Sequence, residues 1–379
     1  MLTSHLPLRP AWVEIDLDIL RMNYDVINTD RAERAPQLKL ISVLKDDAYG
    51  HGAVPVAREA AKAGVSFIAL VTLQEAVTLR EAGIETPILL MGEREPAELP
   101  YCVDFNLTTV VNDVETARLL GGFAIKAGKR APLHIKINSG MSRFGLRWDQ
   151  AAPVIQEISR TPGIVIEGIL SHFAMSDELD KTFARKQLER FMHLLAELQK
   201  SGIDIPLRHI CNSGGFLDLS EAHFDLVRVG LLQFGVFPSQ VCRRIPGIAP
   251  VMSVKSRIAF IQPLEVGDCV GYGMRYTATS PRRIAVIPIG YGDGFPRVRN
   301  EGAVLIRGRR APLVGGVSMD AITVDITDIP DACRWDEVVI MGRDGSDEIT
   351  AHEVAQWKKS VSYDVLVSWR SRLPRVYKP

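Results

Sequence analysis

The chain has 379 residues, 46% of them hydrophobic and 24% charged, with 45 basic side chains balancing 45 acidic ones. That length exceeds one ordinary domain, and the composition excludes a disordered chain or one with a large basic nucleic-acid footprint. The five cysteines are odd in number and contain no CxxC, which speaks against a disulfide framework or a zinc site. The N-terminus lacks a signal-peptide core, and no run of about 18 apolar residues occurs. The expectation is a cytoplasmic protein with no metal and no nucleic-acid or membrane partner.

Apolar, β-branched runs recur through the first two thirds of the chain: 38–45, 66–71, 87–91, 107–111, 133–138, 167–173, 207–212 and 226–230. Amphipathic stretches lie between most of them, and those at 53–64 and 73–83 close on glycine, a common helix stop. Residues 180–201 also have helix-forming composition. Strands alternating with helices imply parallel βαβ units, and near-continuous apolar strands imply burial on both faces. Eight such units predict an α/β chain with a (β/α)8 TIM barrel. The alternative, a doubly wound open sheet, would normally carry GxGxxG after its first strand; here that strand ends in Lys45-Asp46-Asp47-Ala48-Tyr49-Gly50-His51-Gly52. After a proline-flanked linker at 239–250 come short β-like segments with few helices. The predicted organisation is a barrel domain over 1–244 and a mainly β domain over 245–379.

A barrel carries its chemistry where strands end on the C-terminal face. Lys45 ends the first strand, Arg143 follows the fifth, His172 ends the sixth, Asn212 and Ser213 end the seventh, and Arg228 with Gly230 lies in the eighth. Each has an ordinary reading: a solvated lysine, a surface ion pair, a satisfied core histidine, a plain Gly-Gly turn. Arg228 is harder to dismiss, because LVRVG is a buried-strand pattern and a charge there needs a partner. Together, a lysine, two arginines, a histidine and glycine-containing turns after strands seven and eight suggest a phosphate-bearing cofactor with a Schiff-base lysine.

The chain resembles the alanine racemase family. VLKDDAYGHG is similar to the family's lysine motif VKANAYGHG, and seven more matches follow in order: HIKINSGMSRFG, LSHFAMSDE, HICNSGG, VRVGLLQFG, VGYGMRYTA, IPIGYGDGFPR and VGGVSMD. The resemblance implies a pyridoxal 5'-phosphate (PLP) enzyme that racemises a small amino-acid substrate and supplies D-alanine for peptidoglycan. Lys45 would carry the cofactor and act as base on one face; Tyr272 would act on the other. Tyr49, Ser213, Gly230 and Leu231 would hold the phosphate, Arg228 the pyridine nitrogen, and His172 would orient Arg228. Arg143 would contact the substrate carboxylate. Tyr272 and Met319 would complete the active site of a partner subunit, making a homodimer with composite sites. Both bases need retuning, since an unperturbed tyrosine near pKa 10 is about one part in a thousand phenolate at pH 7.

The chain departs from the family pattern at several places. Asp46 replaces alanine beside the lysine, Asn138-Ser139 replaces Asp-Thr, Ser318 replaces a cysteine and Ser371 stands where many members have tyrosine. In some members the lysine corresponding to Lys136 is carbamylated. Ser318 and Ser371 suggest tolerance of serine or other slightly larger amino acids. The alternatives are therefore a serine or broad-specificity racemase, a PLP decarboxylase sharing the two domains, and a non-catalytic PLP carrier.

Overall fold

The computed structural model describes residues 9–379. The first strand, β1 (Ala11–Asp16), precedes a set of parallel strands: β2 (Lys39–Val43), β3 (Phe67–Leu70), β4 (Ile88–Leu90), β5 (Leu107–Val111), β6 (Ala131–Asn138), the short β7 (Leu146–Arg147), β8 (Ile164–Leu170), β9 (Leu207–His209) and β10 (Leu226–Val229). Eight of these form one parallel sheet in the order β10-β2-β3-β4-β5-β6-β8-β9, with β7 as a side pairing of β6. The last strand returns to the first through Leu226↔Lys39. Backbone bonds Asp225 N to Arg208 O and Arg228 N to Cys211 O, both 3.1 Å, tie β10 to the β9 segment and nearly close the barrel. The eight predicted strands and the TIM-barrel class are borne out. β3, β4, β5 and β10 are buried at every position, as helices on the outside of a parallel sheet require.

Local signals start the crossover helices. Thr72 and Glu75 form a capping box for Leu73–Glu81, Asp113 caps Val114–Lys126, and the amphipathic helix Thr182–Lys200 leads to β9. The turn after β2 is unusual. Asp46, Asp47 and Ala48 all adopt left-handed φ/ψ near +53°/+50°, and Tyr49 follows at φ 53°. A left-handed conformation costs L-residues roughly 1–2 kcal/mol each. The side chain of Asp47 offsets part of this by accepting from Ala53 N (2.7 Å) at the start of the next helix, and Glu75 Oε1 accepts from Asp46 N (2.6 Å).

The second unit is mainly β, also as predicted. Its strands are β11 (Met252–Arg257), β12 (Phe260–Leu264), β13 (Cys269–Val270), β14 (Tyr276–Thr277), β15 (Arg282–Ile287), β16 (Ala303–Ile306), β17 (Arg309–Pro312), β18 (Ile322–Asp325), β19 (Glu337–Asp344), β20 (Asp347–Ile349) and β21 (Arg375–Lys378). The main sheet runs β17-β16-β19-β11-β1-β21, alongside a three-stranded β12-β15-β18 sheet and the β13-β14 hairpin. Two late helices, Ala351–Lys358 and Ser362–Ser368, also belong here.

The division of the chain differs from the predicted 1–244 and 245–379. The described residues up to Ile19, together with Tyr49–His51, group with Ala249–Pro379, and the barrel unit comprises Leu20–Ala48 and Gly52–Ile248. The physical reason is β1. It is antiparallel to β11 (Val13↔Val254) and parallel to β21 (Val13↔Arg375). Ala11, Val13 and Ile15 are fully buried while alternate residues are only partly so. That one-sided pattern suits a sheet with one packed face, not a barrel strand.

Candidate active site

The barrel site is built around Arg228. It sits in β10 with only 3% of its surface exposed, where an unpaired charge would be costly. Its terminal nitrogens are spent on protein acceptors: Ser171 O (2.8 Å), Ile210 O (3.1 Å), His172 Nδ1 (2.9 Å) and His209 Nδ1 (2.7 Å). Its Nε–H makes no bond among the described residues. Burial, with Arg143 adding, pushes the guanidinium down to about 10, so it stays cationic at neutral pH. Arginine only donates, so both imidazoles must present a lone pair to it. Burial first, then the charge of Arg228, holds His172 and His209 well below the usual histidine range. Both rings are neutral.

The other polar groups converge on His172. Lys136, Arg143 and Lys45 all act on its ring electrostatically, after Arg228, and Lys136, Arg143 and His172 line one small cleft with Asn138, Met141 and Phe144. The Lys136 ammonium is disfavoured by burial and by Arg228 and Arg143, which hold it well below the usual lysine range. Asn138 Oδ1 accepts from Gly140 N and Ser142 N, both 3.0 Å, and shapes the loop that carries Arg143. Lys45 begins the left-handed turn at the C-terminal end of β2; Asp46, the departure from the family motif, is exposed to solvent.

The two glycine-containing turns meet as the sequence suggested. Ser213 Oγ accepts from Gly230 N (3.1 Å), joining the loop after β9 to the loop after β10. Asn212 Oδ1 accepts from Gly215 N (2.9 Å) and from Ser176 Oγ (2.7 Å). A Cβ on Gly214 would lie 2.9 Å from Ser176 Oγ, and one on Gly215 would lie 3.0 Å from Cys211 Sγ, so both glycines let the backbone approach its neighbours. Leu231 is buried beside Gly230. Tyr49 is buried, and its carbonyl faces His51 Nδ1 at 3.0 Å.

Tyr272, Met319, Ser318 and Ser371 lie in the β unit. Tyr272 is 83% exposed, on the loop between β13 and β14, where Gly271 and Gly273 both have φ of +73°. Met319 is 51% exposed, and its carbonyl accepts from Gly292 N at 2.8 Å. Ser318 is held through its backbone to Ala321 and Tyr291, and Ser371 is exposed. Neither serine hydroxyl has a partner among the described residues. No group of three or more His, Cys, Asp or Glu side chains able to hold a metal occurs among them either.

The sequence reading missed His209, Ser171 and the Gln187 side chain. Ser171 Oγ bonds Ser139 Oγ (2.7 Å), and Gln187 Nε2 donates to His172 O (3.0 Å), so both brace the strand end that carries His172. His209 was visible in the HICNSGG motif, but a histidine on a buried strand carries no mark that it faces an arginine.

Comparison with known proteins fits this architecture. The family model of the alanine racemase N-terminal domain matches residues 15–238, and that of the C-terminal domain matches 251–377. The alanine racemase of Syntrophobacter fumaroxidans is 42% identical over 359 residues, covering 94% of this chain and 95% of its own. The chain belongs to the alanine racemase family. The alanine racemase of Halothermothrix orenii is 37% identical over 371 residues, 98% of this chain and 97% of its own. The solved alanine racemase of Clostridium difficile 630 superimposes with a TM-score of 0.92 at 34% identity, covering 100% of this chain and 97% of that one. The Bacillus anthracis alanine racemase solved with bound L-Ala-P gives 0.89 at 30% identity, covering 99% and 96%. Membership makes the chain an isomerase and favours racemisation over the decarboxylase and carrier alternatives. No described helix is long and apolar enough to cross a membrane.

Proposed function

We propose that the protein interconverts L-alanine and D-alanine with PLP held in the barrel unit and with Lys45 and Tyr272 as opposing acid–base groups. The observation that carries this reading is Arg228: a buried cation gripped by four acceptors on its two terminal nitrogens, whose Nε–H is left to meet a ligand. A donor-only partner suits the ring nitrogen of an unprotonated pyridine. The stapled loops of Ser213 and of Gly230 and Leu231, with Tyr49, suit the phosphate, and the Lys45 amine suits the cofactor's carbonyl carbon. When bound, the cofactor supplies the electron sink that acidifies the Cα–H of an amino acid.

The protein supplies the rest. Lys45 holds or releases a proton at Cα on one face, and Tyr272 does so on the other. Arg143 fixes the substrate carboxylate, and Met319 lines the pocket wall. His172 accepts from Arg228 at Nδ1, so its Nε2–H is available to stabilise a phenolate. Tyr272 and Met319 are exposed within their own chain. A second copy that buries them would exclude water, and the reading therefore includes a homodimer with composite sites. It also places the enzyme in the cytoplasm, feeding D-alanine to peptidoglycan. The unbonded hydroxyls of Ser318 and Ser371 keep a serine or broad-specificity racemase as the second reading.

The test is chiral chromatography of PLP-loaded protein given L-alanine and, separately, L-serine, with borohydride trapping of the lysine–cofactor linkage and peptide mass mapping. Fast D-alanine formation, with serine well behind and the label on Lys45, is the expected result. Comparable D-serine formation would make the two serines specificity determinants. Label on another lysine, or no D-product, would overturn the assignment.

A further inference from the structure

The bond from Arg228 to His209 does not end there. His209 Nε2 lies 2.9 Å from His134 Nδ1, and His134 Nε2, buried and without a hydrogen-bond partner among the described residues, faces Glu167 Oε2 at the ion-pair distance of 3.7 Å. Both imidazoles are fully buried inside the barrel, where aliphatic side chains usually fill the layers. The proton positions follow from the donors. Arg228 can only donate, so His209 Nδ1 is a lone pair and its proton sits on Nε2. That N–H needs an acceptor, so His134 Nδ1 is also a lone pair and its proton sits on Nε2. Among the described residues the sole acidic group facing that proton is Glu167, whose carboxylate also accepts from Thr108 Oγ1 at 3.2 Å and has Lys39 in electrostatic range. Every proton in the row thus points away from Arg228 and towards a carboxylate at the opposite mouth of the barrel, where β2 and β5 begin.

The backbone is shaped for this row. The β6–β8 register shifts at this place: Leu133 pairs with Ile166 and His134 with Gly168, leaving Glu167 as the extra residue. Such a bulge re-aims a side chain. Gly168 is required as glycine, because a Cβ there would lie 2.6–2.7 Å from three atoms of the His134 ring. The edge of Phe67 closes the other side, with ring centroids 5.7 Å apart at 69°.

We infer that Glu167 and His134 are positioning residues for the active site, fixing through His209 the tautomer that offers Arg228 a lone pair. If His134 carried its proton on Nδ1, the row would reverse and His209 would turn an N–H towards the guanidinium, donor against donor. The consequence for cofactor binding rests on the role proposed for Arg228; the tautomers themselves do not.

The experiment is nitrogen NMR of the histidine rings in the full-length, cofactor-free protein, followed by PLP titration of the wild type and of Glu167→Gln. The amide of the variant can offer a hydrogen where the carboxylate cannot, and the site is partly exposed, so the fold has room for it. The expected result is Nε2–H on both His134 and His209 in the wild type. In the variant the His209 signals should change, and PLP affinity should fall about three- to tenfold, the worth of one buried hydrogen bond. Nδ1–H or a charged ring at either position in the wild type would overturn the inference, and this needs no variant. So would unchanged His209 signals and affinity in Glu167→Gln. Failure of the wild type to bind PLP with the expected tautomers present would count against the proposed function alone.

Discussion

Single residues here are set by what their neighbours can donate. Burial, and after it the charge of Arg228, disfavours the charged forms of His172 and His209, and burial with Arg228 and Arg143 disfavours the ammonium form of Lys136. A lysine kept from charging is a nucleophilic amine, and between two arginines its carbamate would be the better-matched group: the neutral amine bonds to the carbon of CO2, one N–H proton leaves, and a neutral group becomes an anion. We expect a carbamate carbon resonance at Lys136 when the protein is equilibrated with labelled bicarbonate, absent in Lys136→Met. A spectrum without that resonance would leave the lysine as a neutral amine. This residue was legible in the sequence only through the family resemblance, because HIKIN reads simply as a half-buried strand. Glu167 was not legible at all, since a bulge shifts one register position and leaves no compositional trace.

At the scale of elements, the sequence marks strands well and turns poorly. Apolar runs located all eight barrel strands, because a parallel strand buried on both faces has little freedom in composition. The left-handed turn after Lys45 escaped notice, since Asp-Asp-Ala carries no glycine to advertise positive φ. β1 was missed because AWVEID is short and its partners lie far along the chain, and the helices Ala351–Lys358 and Ser362–Ser368 were missed among β-rich neighbours. The turn makes a prediction of its own. Asp46 is exposed and bonds through its backbone N, which Asp46→Gly retains. Glycine removes the Cβ penalty at φ 54°, so the variant should be more stable by about 0.5–1 kcal/mol in urea unfolding. A loss of stability would mean that the carboxylate itself holds the turn.

The whole molecule should show its buried histidines in its response to acid. His134, His172 and His209 all have folded pKa values below the unfolded value near 6.5, with burial as the first cause. The unfolded chain therefore binds more protons as pH falls below about 6.5. Stability is full above that pH and drains beneath it, at up to about 1.4 kcal/mol per pH unit for each ring. Urea midpoints at pH 7.5 and 5.5 should differ accordingly; equal midpoints would mean that the rings are charged in the fold. Composite sites predict something further. Lys45→Ala and Tyr272→Phe should each be inactive, yet co-refolding them in equal amounts should restore about a quarter of the sites, since half the dimers are mixed and each mixed dimer has one intact pair. No recovery would argue that each chain is self-sufficient.

The position of β1 also has a bearing on how this protein is made. Ala11 pairs with Ser256, so the strand leaves the ribosome about 245 residues ahead of its neighbour β11 and further still ahead of β21. At about 5–20 residues per second, that is a wait of roughly 12–50 s. During it the barrel can close, while a short strand with three buried-type side chains has no edge to join. Translation speed, and any chaperone that shelters the nascent N-terminus, therefore bear on yield through a segment that carries none of the chemistry.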